Sequence, residues 1–455
     1  MTRPTALRIY RSLPKKQCGR CGEKTCIEYA LKLLKGERKL EDCGYLSAEQ
    51  KKNISGILSP KVRAVSIGAG PSAVKAGGED VMYRHEYKFA SPTAVFIEMS
   101  DVMDAKDSSE RTAFVKGFAV ERLGKKLAAD GISIHCVSGE ADRFAECVKT
   151  VAKKFDGPLI LRSQDPQILE AGIVQAKGRR PLLHAATLQN WRKVLAIAEK
   201  YGASVAACGN DVKDIIKIAK ELSSRRFRDI VLDPGVSAGA GTAETIDRFT
   251  HLRKEAVEGN PEYGYPLMGI ASAKNASPDP YQEAMTAGML VSRYASIIVM
   301  RTIEPWAILP VLTLRQSLYS DPAIEPCVEA KLYPVGSPDR DSPVLLTTNF
   351  ALTYYSVLQD IEDAKISCYL LVVDTGGLAV TVAIAADKLT TGVIKEALIK
   401  DGVAQKVAHR KLIMPGVTGQ LKDEIEKATG WNVLVGPQDS SQIGSFLKEN
   451  RKEGI

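Results

Sequence analysis

Eight short apolar runs recur between residues 94 and 301, and they constrain this chain more than any other feature. They read "AVFIEM" from 94, "SIHCV" from 133, "PLILRS" from 158, "PLLHAA" from 181, "SVAAC" from 204, "DIVLDPG" from 229, "YPLMGIA" from 265 and "SIIVMR" from 296. Amphipathic stretches such as "ADRFAECVKTVAKKF" and "NWRKVLAIAEKYG" separate them. Runs this short and apolar read as strands buried on both faces, and strands alternating with helices build a parallel sheet. Eight such units over this length are what a (β/α)8 barrel needs. A doubly wound open sheet is the alternative, because a sequence cannot show closure. On the loops after these strands, Glu98, Arg162, Asn210, Asp233 and Arg301 are candidates for chemistry. "LDPGVSAGAG" has glycines free to approach a phosphate or pterin. No HExxH, paired carboxylates or Ser–His–Asp order accompanies them. His135 and His184 lie inside apolar runs and read as satisfied core residues, so no active site is assigned to this segment.

Upstream, "CGRCGEKTCIEYALKLLKGERKLEDC" holds four of the chain's nine cysteines, Cys18, Cys21, Cys26 and Cys43. Four thiolates serve either tetrahedral zinc or a cubane iron–sulfur cluster. Zinc sites usually repeat a short C-x2-C pair. Here three ligands fall within nine residues and the fourth follows a segment with Ile27, Ala30, Leu31 and Leu34 at helical spacing, stopped at Gly36. Three ligands in one loop and a fourth beyond a helix favour a [4Fe-4S] cluster, with Gly19 and Gly22 letting the backbone bend around it. Cys136, Cys147, Cys208, Cys327 and Cys368 stand singly and read as small buried hydrophobes.

The 455 residues are too many for one core. "MTRPTALRIYRSLPKK" lacks the apolar stretch of a signal peptide, and the best span candidate, "CYLLVVDTGGLAVTVAIAA", is broken by Asp374 and Gly376-Gly377. A cytoplasmic location without membrane or disulfides is expected. Residues 1–60 carry 13 Lys and Arg against 6 Asp and Glu, which accounts for most of the net charge of +8. A basic surplus can mark a nucleic-acid binder, but with few aromatics and no nucleic-acid-binding motif around it, nucleic acid is not the expected partner. The surplus suits docking of an acidic electron-transfer protein, or is simply a solvated face.

After the Pro/Ser/Asp-rich "VGSPDRDSPV" (335–344), which reads as a hinge centred on 336–338, a second α/β pattern begins. Strand ends there carry small or hydroxyl residues at Thr347-Thr348-Asn349, Asp374-Thr375-Gly376-Gly377, Pro415-Gly416 and Gly436-Pro437. In a parallel sheet such ends line one crevice, with helix N-terminal amides beside it; alternatively they only cap helices and shape turns. None matches G-x-G-x-x-G, so a nicotinamide cofactor fits poorly.

Taken together, "LPKKQCGRCGEKTC" with Cys43, "DVMYRHEYKF", "DIVLDPG", "SPVLLTTNFALTYY", "DTGG" and "VGPQDS" make the chain resemble the family of large subunits of corrinoid iron–sulfur proteins, the gamma subunits of acetyl-CoA decarbonylase/synthase complexes. The resemblance spans nearly the whole chain. It implies a [4Fe-4S] cluster domain at 1–58, a (β/α)8 TIM-like barrel at 59–325 and a C-terminal Rossmann-like α/β corrinoid-binding domain at 326–455. It implies a methyltransferase component: a corrinoid (cobamide) cobalt takes a methyl group from a methylated tetrahydropterin and passes it to the nickel cluster of acetyl-CoA synthase, with the iron–sulfur cluster reactivating Co(II). Carried over by position, Cys18, Cys21, Cys26 and Cys43 hold the cluster. Ser342, Thr347, Thr348, Asn349, Thr353, Asp374, Thr375, Gly376, Gly377, Pro415, Gly416, Gly436 and Pro437 cradle the corrinoid, whose cobalt supplies the chemistry without a catalytic side chain. Implied partners are a smaller barrel subunit in a heterodimer, a pterin methyltransferase, the acetyl-CoA synthase subunit and a low-potential electron donor. The chain lacks the D-x-H-x-x-G motif whose histidine ligates cobalt, since Tyr83, Ser133, Leu182, Phe249 and Val407 stand two residues before its five histidines. The competing readings are an iron–sulfur electron-transfer adaptor without corrinoid, and a pterin-dependent methyltransferase acting from the barrel.

Overall fold

Strands that bury both faces can keep polar residues only at their ends, and this decides how the chain is laid out. The structure, a computed structural model, describes residues 5–35, 37–209, 211–236, 241–272, 279–321 and 326–450. Gly36 and Asn210 lie outside the described residues, as do 237–240 of the "LDPGVSAGAG" loop. The chain forms two compact units, residues 1–122 with 126–320, and residues 123–125 with 321–455.

In the first unit, α1 (Ala6–Ser12), α2 (Cys26–Leu34) and α3 (Ala48–Leu58) share an apolar cluster of Ile9, Leu13, Tyr29, Ala30, Leu33, Leu46 and Ile54. The stripe expected on α2 is rotated by one position. Tyr29, Ala30 and Leu33 are buried, while Leu31 is 44% exposed. The aromatic Tyr29 supplies the largest buried surface and sets the facing side.

Next comes a hairpin, β1 (Val65–Ile67) and β2 (Val74–Ala76), which no sequence pattern announced. Eight parallel strands follow: β3 (Ala94–Ser100), β4 (Gly131–His135), β5 (Leu159–Arg162), β6 (Leu182–Ala186), β7 (Ser204–Cys208), β8 (Ile230–Asp233), β9 (Leu267–Ile270) and β10 (Ala295–Met300). They pair in chain order and β10 closes on β3, with Ile297 opposite Ala94, so the sheet is a closed barrel rather than an open one. Alternate residues face opposite ways. Val95, Ile97 and Met99 pack outward under the helices, whereas Ala94 and Phe96 join Ile160, Leu182, Ala206, Val231 and Ile297 inside. The hairpin plugs the N-terminal end: Val65, Ile67 and Ala76 share that interior cluster, and Ser204 Oγ donates to Ser66 O at 3.3 Å. Gly131 is required beside Phe96, because a Cβ there would lie 2.4 Å from Cε1 of the ring and 2.6 Å from Pro158 O.

The second unit is a five-stranded sheet. Its strands are β11 (Leu332–Val335), β12 (Val344–Thr348), β13 (Cys368–Val373), β14 (Lys411–Met414) and β15 (Asn432–Val435), in the spatial order β11-β13-β12-β14-β15. All are parallel except the edge strand β11. Helices cover both faces, as two separate apolar clusters show. The chain winds outward from β12 to β13 on one side and to β14 on the other, so the strand order reverses between β12 and β14, the switch point of a doubly wound sheet. The segment read as a hinge, 336–343, joins β11 to β12 within this one sheet. Its Ser337 amide donates to Ser367 Oγ at 3.2 Å, so it is an internal loop and not a joint. Its Pro/Ser/Asp composition reports a tight connection, with Gly336 at φ +67° making the turn.

Phe96→Ala should destabilise the barrel by about 3–5 kcal/mol, since the ring fills the interior and its neighbours are fixed by strand pairing. Val174→Ala, on an exposed helical position, should stay within ~0.5 kcal/mol. Denaturant unfolding followed by near-ultraviolet circular dichroism separates the two.

Candidate functional site

The first candidate site is the thiol cavity of the N-terminal helices. Cys18, Cys21, Cys26 and Cys43 line one small cavity together with Lys16, Glu23, Tyr29 and Tyr45. The loop reaches this shape through two left-handed glycines, Gly19 at φ +70° and Gly22 at φ +85°, closed by Gly22 N donating to Gly19 O at 3.0 Å. Cys26 opens α2, whose start is fixed by a reciprocal capping box between Thr25 and Glu28. The positive end of that helix favours a charged sulfur ligand. Buried Glu23 ties the loop down, with Lys32 Nζ at 2.8 Å and Arg38 Nη2 at 2.7 Å. Those two cations hold its carboxyl below the usual carboxylate range. Tyr29 Oη donates to Lys39 O at 2.7 Å and so positions the approach to Cys43. Lys16 and Arg20 lie over the Tyr45 ring at 4.0 and 5.4 Å. The donor set separates the two metal readings. Tetrahedral zinc needs sulfurs about 3.8 Å apart. Among the described residues, the one group of three His, Cys, Asp or Glu ligand atoms mutually within 4.8 Å lies elsewhere, in the barrel. A wider set of four thiols fits a cluster better than a single ion.

The second candidate is a cavity of about 260 Å³ at the switch point of the C-terminal sheet. Thr347, Thr353, Pro415 and Pro437 line it, together with Val380, Thr381, Gln438 and Ser440, which the strand-end pattern did not single out. The signal for the first two lay in "LAVTV" directly after "DTGG", whose contribution depends on a sheet order that no local pattern reveals. Thr347 Oγ1 and Thr348 Oγ1 are buried without a hydrogen-bond partner among the described residues. Of the two, Thr347 lines the cavity, where its hydroxyl can bond a polar ligand group, and Thr348 does not. The two turns forming the floor lock together: Gly416 N donates to Pro437 O at 2.9 Å and Gly436 N to Met414 O at 2.8 Å.

Asn349, Asp374, Thr375, Gly376 and Gly377 do not line this cavity; they build its rim. Asn349 Oδ1 accepts from Thr375 N, Thr375 Oγ1 and Gly377 N at 3.0–3.1 Å, and its Nδ2 donates to Asp374 Oδ1 at 2.9 Å. Ser342 sits at the opposite end of β12, bonded to Asp339 at 2.7 Å. His409, the only histidine of the second unit, is also at that end. Lys411 N donates to its Nδ1 at 3.1 Å, so Nε2 carries the proton toward Ser342 O at 3.0 Å.

The barrel mouth is the third polar centre. Two positions beyond the apolar interior layer, the inward residues become Glu98, His135, Arg162, His184, Cys208, Asp233 and Arg301. Glu98 is buried between Arg162 and Arg301, the latter at 3.1 Å. Burial pushes its carboxyl up, but the two guanidinium charges outweigh that and hold it low. Burial, and then the Arg162 charge, bring His135 down from 6.5 to about 4. His184 Nε2 meets Asp233 Oδ2 at 2.7 Å. Thus His135 and His184 belong to the polar mouth, not to the core, because the two-residue alternation of each strand turns them inward.

Two expectations follow from this geometry. A histidine held neutral in the fold but protonated when unfolded adds stability above about pH 6.5 that is lost as the pH falls toward 4. His135→Gln should therefore flatten the decline in barrel stability over that window. Asn349→Ala strands two buried amides, and should cost about 2–4 kcal/mol while accelerating hydrogen exchange at residues 375–377.

Comparison with known proteins agrees with this arrangement. Residues 64–447 match the family model described as CO dehydrogenase/acetyl-CoA synthase delta subunit, and residues 13–45 match one described as a putative Fe-S cluster. The acetyl-CoA decarbonylase/synthase complex subunit gamma of Methanopyrus kandleri is 39% identical over 100% of this chain and 99% of its own length. That of Methanosarcina acetivorans is 38% identical over 98% of each. A dihydropteroate synthase from Coxiella burnetii, in complex with pteroic acid, aligns with 57% of this chain and all of its own at 14% identity and a TM-score of 0.40, too distant to carry any inference. The chain belongs to the family of acetyl-CoA decarbonylase/synthase complex gamma subunits.

Proposed function

We propose that this chain is the corrinoid methyl carrier of its complex, with the corrinoid seated on the switch-point cavity and a [4Fe-4S] cluster held by Cys18, Cys21, Cys26 and Cys43. When bound, the corrinoid supplies a cobalt that takes up and hands on a methyl group, and the cluster supplies electrons that return oxidised cobalt to Co(I). The observation that carries this reading is the cavity itself. At about 260 Å³ it falls below the ~300–1,000 Å³ of pockets that enclose a whole small molecule. It seats one side of a large ligand and leaves the other open, as a carrier meeting several partners requires.

The residues support distinct tasks. Thr347 offers an unpartnered hydroxyl to an amide-fringed ligand, and the interlocked turns at 415–416 and 436–437 give a floor on which a flat ring can rest. The Asn349 network holds the 374–377 rim in one conformation. Both His409 nitrogens are engaged at the far end of the sheet, so no imidazole of this unit is at hand to ligate cobalt. Without such a ligand Co(I) is easier to reach. The basic N-terminal segment suits an acidic electron donor. The further partners are a smaller barrel subunit, a pterin methyltransferase and the acetyl-CoA synthase subunit.

Cys26→Ser should lose cluster iron while keeping corrinoid. Methyl transfer should then proceed from chemically reduced protein but should not recover after oxidation. Thr347→Val should weaken corrinoid retention by about 2–10-fold. Protein that holds iron but takes up no corrinoid would instead leave the electron-transfer adaptor standing.

A further inference from the structure

The polar mouth of the barrel contains a second metal-binding constellation, separate from the thiol cavity and independent of the methyl-carrier reading. His184, within β6, and Cys208 and Asp233, which end β7 and β8, come from three neighbouring strands. Strand pairing sets Asp233 directly opposite Cys208 and His184 opposite Ala206. Their ligand atoms all lie within 4.8 Å of one another. We infer that these three side chains form a binding site for a zinc-class divalent transition-metal ion at the barrel mouth, with a fourth position open to an exogenous ligand.

Chemistry and charge both favour a borderline ion. A thiolate, an imidazole and a carboxylate are the nitrogen, sulfur and oxygen donors that zinc accepts, and hard ions such as magnesium would not choose the sulfur. Cysteinate and aspartate together carry two negative charges, which one divalent ion neutralises. That balance matters because Asp233 is almost wholly buried. Arg162, a cation that acts on Asp233, is itself paired with Glu98, which it shares with Arg301. The carboxylate is already oriented: Asp233 Oδ1 accepts from Gly235 N at 2.9 Å, leaving Oδ2 directed at His184 Nε2 at 2.7 Å. Second-sphere bonds of this kind fix the direction of a metal-binding oxygen. Tetrahedral zinc would hold that oxygen and nitrogen about 3.3 Å apart. In the present arrangement the two atoms meet directly in a hydrogen bond, and admitting an ion needs a small separation of the two side chains. His184 and Cys208 are partly exposed, so an ion can enter, and among the described residues no fourth protein ligand joins the three. Three protein ligands with one open position is the pattern of reactive rather than structural zinc.

The test uses full-length protein whose cluster content has been fixed by iron analysis, stripped of loosely held metal and then offered zinc chloride alone. About one zinc per chain should be retained, and zinc-edge X-ray absorption should show a single sulfur among nitrogen and oxygen neighbours. Cys208→Ser and Asp233→Asn should each weaken retention by about 10–100-fold or more with iron content unchanged. An all-sulfur shell, which would place the ion among the N-terminal thiols, overturns the proposal. So does retention by Cys208→Ser equal to that of the unaltered chain, or no retention at all. If Asp233→Asn fails to fold, the near-isosteric Cys208→Ser and the absorption spectrum still decide the matter.

Discussion

Parallel strands buried on both faces are the constraint on which the rest of this protein depends. Such a strand can present polar groups only where it leaves the sheet, and the groups of the barrel mouth and of the switch-point cavity gather at the carboxyl ends. In the barrel, the interior layer around Phe96 gives way within two residues to Glu98, Arg162, His184 and Asp233. In the C-terminal sheet, β12 and β14 run apolar until Thr347 and Pro415, and the reversal of strand order between them opens the cavity. One rule of strand burial places both sites. The thiol cavity obeys a different one: it is a loop bent by two left-handed glycines and anchored by a buried Glu23.

Much of this could be read from residues alone, because the signals were local. The eight barrel strands stand where apolar runs stood, and the four cysteines converge as their spacing implied. What escaped was nonlocal. Closure of the barrel is a pairing of Ile297 with Ala94 across some two hundred residues. The plug at 65–76 is a short hairpin with one small residue in two, indistinguishable in sequence from a loop. The histidines were misplaced for a subtler reason: an apolar run says that a strand is buried, but only the inward register of His135 and His184 says at which end. At the cavity, Thr347, Thr353, Pro415 and Pro437 were legible as strand-end residues or as part of the quoted motifs. Asn349 and the 374–377 turn were legible too, yet their role is to hold one another rather than to face the cavity.

The two sites of the proposed carrier divide labour in a way the side chains make intelligible. The switch-point cavity is shallow, apolar in its floor and provided with an unpartnered hydroxyl, which suits holding a large ring while exposing its reactive face. Its lining, among the described residues, offers no imidazole, and a cobalt left without a protein nitrogen is easier to reduce, although the Co(I) so reached is a strong reductant and is still lost at times to oxidation. A thiol-bound cluster in the same chain, set among cations, answers that second property. Strength of binding and ease of repair are thus assigned to different parts of one polypeptide.

The central claim is tested most directly by anaerobic purification in the presence of corrinoid, followed by metal analysis and a visible spectrum under titanium(III) citrate. A corrinoid methyl carrier should hold cobalt at about one per chain with about four irons, and show a Co(I) corrinoid band that appears on reduction. Four irons with no cobalt retained would contradict the claim.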